Sequence, residues 1–220
     1  MKRHSISMLL GLLLAAAPVL AQESMSKVNG SITAEAGQRY GKLDTVNGGI
    51  KVGEGAETGN IETVNGGIRV AERARTGGIS TVNGSVRLAR EVIADGGIET
   101  VNGSIFSDRG CQIQGGLETV NGGIGLVESQ VQGDIETVNG DITVGIGSQV
   151  DGGIRVRKPS FSLSLTASRK PRVIIGPNAV VNGSLQFDRE VVLYVNRSAR
   201  IGAVTGALPV PFDSETAPSD

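Results

Sequence analysis

The strongest constraint on this chain is an internal repeat, because the tetrapeptide TVNG or a close variant returns at nearly constant intervals. Its asparagines are separated by 18 or 19 residues, and a weaker copy, VVNGSL, follows near the C-terminus. The repeated positions are Asn29, Asn47, Asn65, Asn83, Asn102, Asn121 and Asn139, with Asn182 in the weaker copy. A period of this length is typical of a solenoid, in which each repeat stacks on the next.

Each repeat divides into two short strands and a variable third part. In residues 61–78, IETVNG and GIRVAE alternate apolar and polar residues with a period of two, whereas RARTGG has no counterpart of fixed sequence. A glycine lies two residues before each first strand, and this glycine and the Asn-Gly pair predict corners that need a positive φ. The glycine and β-branched content argues against helix.

These features predict an all-β fold, a single-stranded parallel β-helix (solenoid) with three sides and about 18 residues per coil. Coils that stack at the usual strand spacing of about 4.8 Å would align equivalent residues into columns. One apolar column would contain Ile50, Ile68, Val86, Ile105, Ile124 and Ile142, and another Leu43, Ile61, Ile79, Ile98, Leu117 and Ile135. The general chirality of crossover connections favours a right-handed coil.

The composition indicates a narrow interior and excludes several kinds of catalytic site. The chain has no Trp, four Phe and two Tyr, together with 33 Gly, whereas an ordinary globular core uses more aromatic bulk. The single histidine, His4, lies in the N-terminal segment, which leaves the rest without an imidazole for base catalysis or metal ligation. Cys111 has no partner for an internal disulfide, and we predict a free thiol; an intermolecular disulfide is the alternative.

The chain divides into four predicted segments. Residues 1–21 are a predicted signal peptide, with Lys2 and Arg3 before an apolar stretch too short to span a bilayer. Residues 22–157 are regular β-helix repeats, residues 158–207 an irregular continuation with a C-terminal cap, and residues 208–220 a disordered tail. We therefore expect a periplasmic or secreted bacterial protein without a membrane span.

The charge balance argues against nucleic acid as a partner. Removal of residues 1–21 takes away Lys2 and Arg3 and no acid, so the net charge changes from −1 to −3. A protein that binds nucleic acid by bulk electrostatics is usually basic.

Two charged columns are expected on the outside of the solenoid. An acidic column contains Asp44, Glu62, Glu99, Glu118 and Glu136, with Ser80 as an interruption, and a basic column contains Lys51, Arg69 and Arg87. One hypothesis is that Glu99, Glu118 and Glu136 bind a cation or a basic partner. The interpretation that we favour is a solvated face, with the charges of the first coils paired across the corner.

The valines and asparagines of TVNG form two further columns. Strict alternation would turn Val46, Val64, Val82, Val101, Val120 and Val138 outward, as an apolar stripe of the kind that marks docking surfaces. We predict instead that the corner shifts this alternation and that Val101 and Val120 are buried. The asparagine column is predicted to be structural, with side chains hydrogen-bonded from coil to coil.

Two stretches carry a resemblance to known families. VIIGPNAVVNGSL and ARIGAVTGA, about 35 residues together, resemble bactofilins, the polymer-forming bacterial cytoskeletal proteins. The GGIETVNGGI units, about 130 residues, are similar to exported bacterial β-strand-repeat proteins, which are often labelled as adhesins without an established activity. The first resemblance implies a right-handed triangular β-helix and polymer formation. The chain departs from bactofilins in its predicted signal peptide, which argues against a cytoskeletal role.

Together these observations predict a non-enzymatic structural scaffold or self-associating element of the cell envelope, with no catalytic residue, metal or cofactor. We expect a dimer or polymer formed through the N-terminal end, where QESMSK is too short and polar to cover a coil. One alternative is an adhesin or a surface that binds an envelope glycan or protein. A further alternative is a polysaccharide lyase or hydrolase, which would need clustered acids in a groove.

Overall fold

The computed structural model describes residues 22–159 and 169–216, and within these ranges the protein is a parallel β-solenoid without a helix. The predicted signal peptide and residues 217–220 lie outside the described residues. No helix that is long and apolar enough to cross a membrane occurs in the described ranges. The predicted all-β, single-stranded parallel solenoid is confirmed.

Strands of the first side contain the IETVNG segments and their equivalents. They are β1 (Glu23–Asn29), β3 (Arg39–Asn47), β6 (Ile61–Asn65), β9 (Ile79–Asn83), β12 (Ile98–Asn102), β15 (Leu117–Asn121), β18 (Ile135–Thr137), β21 (Ile154–Val156), β24 (Leu185–Phe187) and β27 (Val204–Thr205).

Strands of the second side follow the Asn-Gly corner. They are β2 (Ile32–Ala34), β4 (Ile50–Val52), β7 (Ile68–Val70), β10 (Val86–Leu88), β13 (Ile105–Ser107), β16 (Ile124–Leu126), β19 (Ile142–Val144), β22 (Arg172–Ile175), β25 (Val192–Asn196) and β28 (Pro209–Phe212).

In the first coil, the third side is formed by the start of β3. In the later coils it is formed by strands of two residues each. They are β5 (Glu57–Thr58), β8 (Arg75–Thr76), β11 (Ile93–Ala94), β14 (Gln112–Ile113), β17 (Gln130–Val131), β20 (Gln149–Val150), β23 (Val180–Val181) and β26 (Arg200–Ile201). Within the described residues, the strands of the second side form one sheet of ten strands, one from each coil.

Strands pair in parallel with the strand one coil away, in the register that the repeat predicts. Ile61 pairs with Ile79, and Ile98 pairs with Leu117. One coil is longer, since Ile142 of β19 pairs with Val173 of β22 across the segment that contains residues 157–171. In the sequence, the extra residues come between β21 of the first side and β22 of the second, and both strands keep their pairing with neighbouring coils.

The interior is filled by inward-facing aliphatic side chains. Both predicted apolar columns are buried, with exposed fractions of 2% or less. The inward position near the C-terminal end is taken by larger side chains, since Phe187 and Phe212 are 7% and 5% exposed. No coil could bury these faces alone, and the core exists only because coils stack.

The prediction that the TVNG valines point inward is wrong. Val101 is 39% exposed and Val120 is half-buried, whereas Thr100 and Thr119 are 3% and 0% exposed. The buried hydroxyl is satisfied, because Thr100 Oγ1 donates to the carbonyl oxygen of Gly84 in the preceding coil at 2.9 Å. A buried hydroxyl with a partner has little desolvation cost, so simple alternation holds through the strand.

The predicted reason for the corner glycines is also wrong. The glycines before each first strand, such as Gly96 and Gly115, have no positive φ. A Cβ at Gly115 would instead lie 2.4 Å from the backbone nitrogen of Gly97 in the preceding coil. Positive φ occurs at Gly30 of the first Asn-Gly pair, with φ of 109°, and in the turn between the second and third sides, where Arg73 and Glu91 have φ of 56° and 59°. Glycine is therefore required at the predicted corner by close approach of backbones.

Two assignments near the C-terminus need correction. Asn182 does not join the asparagine column, because β23 pairs with β20 on the third side, and its Nδ2 donates to Asp151 Oδ1 at 3.0 Å. Pro209–Phe212, which the predicted disordered tail includes, forms strand β28 and pairs with β25. Phe212 fills an inward position of the last coil, and its burial accounts for the order of this strand.

Replacement of Ile105 by Ala should cost about 2–5 kcal/mol of unfolding free energy, because it opens a cavity in the core. Val101→Ala, on the same coil, should cost about 1 kcal/mol, because its side chain is already partly in water. Urea denaturation followed by circular dichroism measures both. Equal losses for the two variants would contradict the outward orientation of Val101.

Candidate functional surfaces

The asparagines form a continuous hydrogen-bonded ladder along one corner. Each Nδ2 donates to the Oδ1 of the asparagine in the preceding coil at 2.9–3.0 Å, from Asn47–Asn29 to Asn139–Asn121. Beyond Asn139, Arg189 continues the column, since its Nη1 donates to Asn139 Oδ1 at 2.7 Å and to the Val138 carbonyl oxygen at 3.0 Å. The column is exposed, but its polar groups bond to one another, which supports a structural role.

Asn102→Ala should reduce the unfolding free energy by about 1–2 kcal/mol, because Asn102 makes two ladder bonds. Asn29→Ala is the matched control, since Asn29 makes one ladder bond within the described residues, and it should cost about half as much. Urea titrations compare them. Equal and negligible losses would show that the ladder does not stabilise the fold.

The predicted acidic site forms a column but is partly neutralised. Glu99, Glu118 and Glu136 occupy successive positions on β12, β15 and β18, beside a shallow depression of about 170 Å³. Arg157 forms ion pairs with Glu136 and, at 3.9 Å, with Glu118. No group of three acids, cysteines or histidines in the described ranges is placed to hold a metal ion. The chain itself supplies the cation, which favours the interpretation as an internally paired face.

The predicted charge pairing across the corner does not occur. Asp44 and Glu62 pair with Lys42 of their own side, at 3.9 and 2.8 Å, and the hydrogen bond to Glu62 raises the pKa of Lys42. The acids of the first coils are thus occupied before the second side begins. These acids therefore do not pair with the basic column, a result that sequence spacing alone could not predict.

The basic column stands on the outer face of the second side. Lys51, Arg69 and Arg87 occupy aligned positions on β4, β7 and β10, and Phe106 follows on β13. The guanidinium carbon of Arg87 lies 5.2 Å from the centre of the Phe106 ring. Within the described residues the three cations form neither an ion pair nor a hydrogen bond, whereas Arg75 pairs with Asp95 at 2.7 Å.

The outward valines form the apolar stripe that strict alternation predicts. Val46, Val64, Val82 and Val101 are 39–41% exposed, and Val28 in the first coil is 68% exposed. Because successive members lie on adjacent coils, each covers part of the next. The stripe is thus exposed, although stacking covers part of each side chain.

Cys111 is buried, and this chain contains no second cysteine with which it could pair. Its Sγ donates to the Ala89 carbonyl oxygen at 2.9 Å, and its side chain is 0% exposed. Burial raises the pKa of the thiol above its ordinary value of 9.0. A buried protonated thiol is a poor nucleophile, and its position disfavours an intermolecular disulfide.

The raised pKa of Cys111 predicts a pH dependence of stability. As pH rises above about 9, the unfolded chain loses the thiol proton first, so it holds fewer protons than the folded chain and the unfolding free energy falls. Cys111→Ala should remove this part of the decline. Urea midpoints of both proteins between about pH 8 and about pH 10.5 test it, and parallel curves would contradict it.

The two ends of the solenoid differ in their exposed strand edges. Within the described residues, β1 and β2 at the N-terminal end each pair on one side, with β3 and β4. In β2 the Ile32 N–H donates to Gly49 and the Ala34 carbonyl accepts from Gly53, both toward the next coil. Residues alternate in a strand, so the N–H and C=O of Thr33 face away from the stack.

At the C-terminal end, prolines occupy the edge strand of the second side. β28 pairs with β25, and two of its four residues are Pro209 and Pro211, which have no N–H to donate. Charged side chains follow, with Asp213 paired to Arg197 at 2.9 Å. Such an edge is a poor template for another strand.

Comparisons with models of known protein families, with curated proteins and with solved structures found no match to this chain.

Proposed function

We propose that this protein is a non-enzymatic structural element of the bacterial cell envelope that self-associates through the N-terminal end of its solenoid. The observation that carries the proposal is the outward-facing N–H and C=O of Thr33 in an edge strand that contains no proline. An edge of this kind is a ready template for a strand of another chain.

The inequality of the two ends favours a closed dimer over a filament. A filament would join the N-terminal end of one copy to the C-terminal end of the next, where Pro209 and Pro211 blunt the edge. Two N-terminal ends related by a two-fold axis would place one β2 antiparallel to the other, and the same residues would contact each other from both sides. Hydrogen bonds between the backbone N–H and C=O groups of the two Thr33 residues would then join the two protomers.

A non-catalytic role is part of the proposal. The acids of the first side are spaced one per coil, and Arg157 pairs with both Glu118 and Glu136. Glycoside hydrolysis needs two carboxyl groups that differ in protonation and face one bond of the substrate. A column of similarly placed acids, held by a shared arginine, favours a structural face.

Thr33→Pro should weaken self-association about 30-fold, because two symmetry-related bonds of about 1 kcal/mol each are lost. Thr33→Val is the matched control, since it keeps the backbone N–H and the shape of the side chain, and it should associate like the wild type. Sedimentation velocity of the chain from Gln22 onward, over a range of concentrations, measures the dissociation constants. A wild-type protein that stays monomeric at the highest concentration would refute the proposal, and equal association of all three proteins would place the contact elsewhere.

A further inference from the structure

The basic column of Lys51, Arg69 and Arg87 is a feature for which the fold itself gives no reason. Like charges directly opposite each other on neighbouring strands are destabilising. These three are stacked on successive coils, about 4.8 Å apart, and no carboxylate in the described residues pairs with them. Several other cations have carboxylate partners, as Arg73 has in Glu54. The column is therefore a surface with uncompensated charge.

A groove runs beside the column and ends at an aromatic ring. It has a volume of about 390 Å³, and the small side chains of Ala71 and Ala89 form part of its wall. Phe106 lies at its end and is half-buried. Gly125 occupies the next position on the outer face, so that position places no side chain over the ring. Asp108 also lines the groove, but Arg90 approaches it to 3.9 Å.

We propose that Lys51, Arg69, Arg87 and Phe106 form a binding surface for an extended anionic polysaccharide, a sugar chain that carries carboxylate or sulfate groups on successive units. The chain would lie along the solenoid axis, since the cations are aligned in that direction. Each cation would meet one anionic group, because the coil spacing is close to the advance of one sugar unit in an extended chain. The apolar face of a sugar ring would pack on Phe106.

The regularity of the column selects this partner among anions. A linear polymer with a fixed repeat can meet equally spaced charges, whereas a folded acidic protein presents its charges irregularly. Nucleic acid binding draws on many cations, and this protein has a net negative charge with three cations in the column. The ring of Phe106 adds a contact that a sugar chain can use and a plain polyphosphate cannot.

This surface begins one coil from the edge proposed for self-association, since Thr33 of β2 pairs with Lys51 of β4, but it uses side chains and not the backbone of the edge strand. The column lies on the outer face of β4, β7 and β10, whereas self-association uses β2 at the end of the stack. Thr33→Pro should leave polysaccharide binding unchanged, and the variants below should leave the sedimentation behaviour unchanged. Either proposal can therefore fail without the other.

The test is a titration that measures the dissociation constants of several polymers for the chain from Gln22 onward. The probes are polygalacturonate, dextran sulfate, neutral dextran, inorganic polyphosphate and a single-stranded oligonucleotide. Arg69→Gln should weaken binding of polygalacturonate about tenfold, and replacement of all three cations by Gln should abolish it. Arg200→Gln, an exposed arginine on the third side with the same charge change, should have no effect. Circular dichroism melting of each variant confirms that the fold is retained.

Phe106→Leu separates a sugar site from a general anion site. It should weaken polygalacturonate and dextran sulfate severalfold while polyphosphate, which has no ring to stack, is unaffected. Absence of binding to both acidic glycans would overturn the proposal, as would equal losses in Arg69→Gln and Arg200→Gln. Tighter binding of polyphosphate or the oligonucleotide than of either glycan would show that the column recognises another class of polymer.

Discussion

The close contact of successive backbones at the Asn-Gly corner is the constraint on which the rest of the structure depends. A Cβ at Gly66 or Gly84 would lie 2.0 Å from the carbonyl oxygen of the glycine one coil before it, closer than any side chain permits. At this separation the buried threonine reaches the same carbonyl, and the asparagine reaches its neighbour. The constant spacing at this corner thus aligns both hydrogen-bonded columns, and the aliphatic side chains of successive coils are aligned with them.

Much of the architecture could be predicted from the sequence because the repeat leaves few alternatives. Parallel pairing, the register of the columns and the buried aliphatic positions all follow from the period of 18 or 19 residues and from alternation within each strand. The prediction for Val101 is wrong because it assumed that the corner shifts the alternation, whereas the alternation continues to the corner and buries Thr100. Its bond to Gly84 comes from another coil, and a single repeat unit gives no sign of that contact.

Other features depend on three-dimensional context that the spacing does not contain. The left-handed turn residue is glycine in some coils but Arg73 or Glu91 in others, so residue type does not mark it. VVNGSL resembles the Asn-Gly corner in sequence but lies at the corner between the third and first sides, since Val181 belongs to β23 and Leu185 begins β24. The isolation of the basic column depends on Lys42, which occupies the acids that spacing suggested as partners.

The bond from Arg189 to Asn139 has a consequence for how this chain can accept change. The two residues are 50 positions apart, and the connection spans the coil that carries the long segment between β21 and β22. On either side of that segment, the strands keep their pairing with the coils before and after. The connection between β21 and β22 is therefore a position where a segment of another length or sequence could be inserted. The stacked coils would hold the two ends of that segment in place.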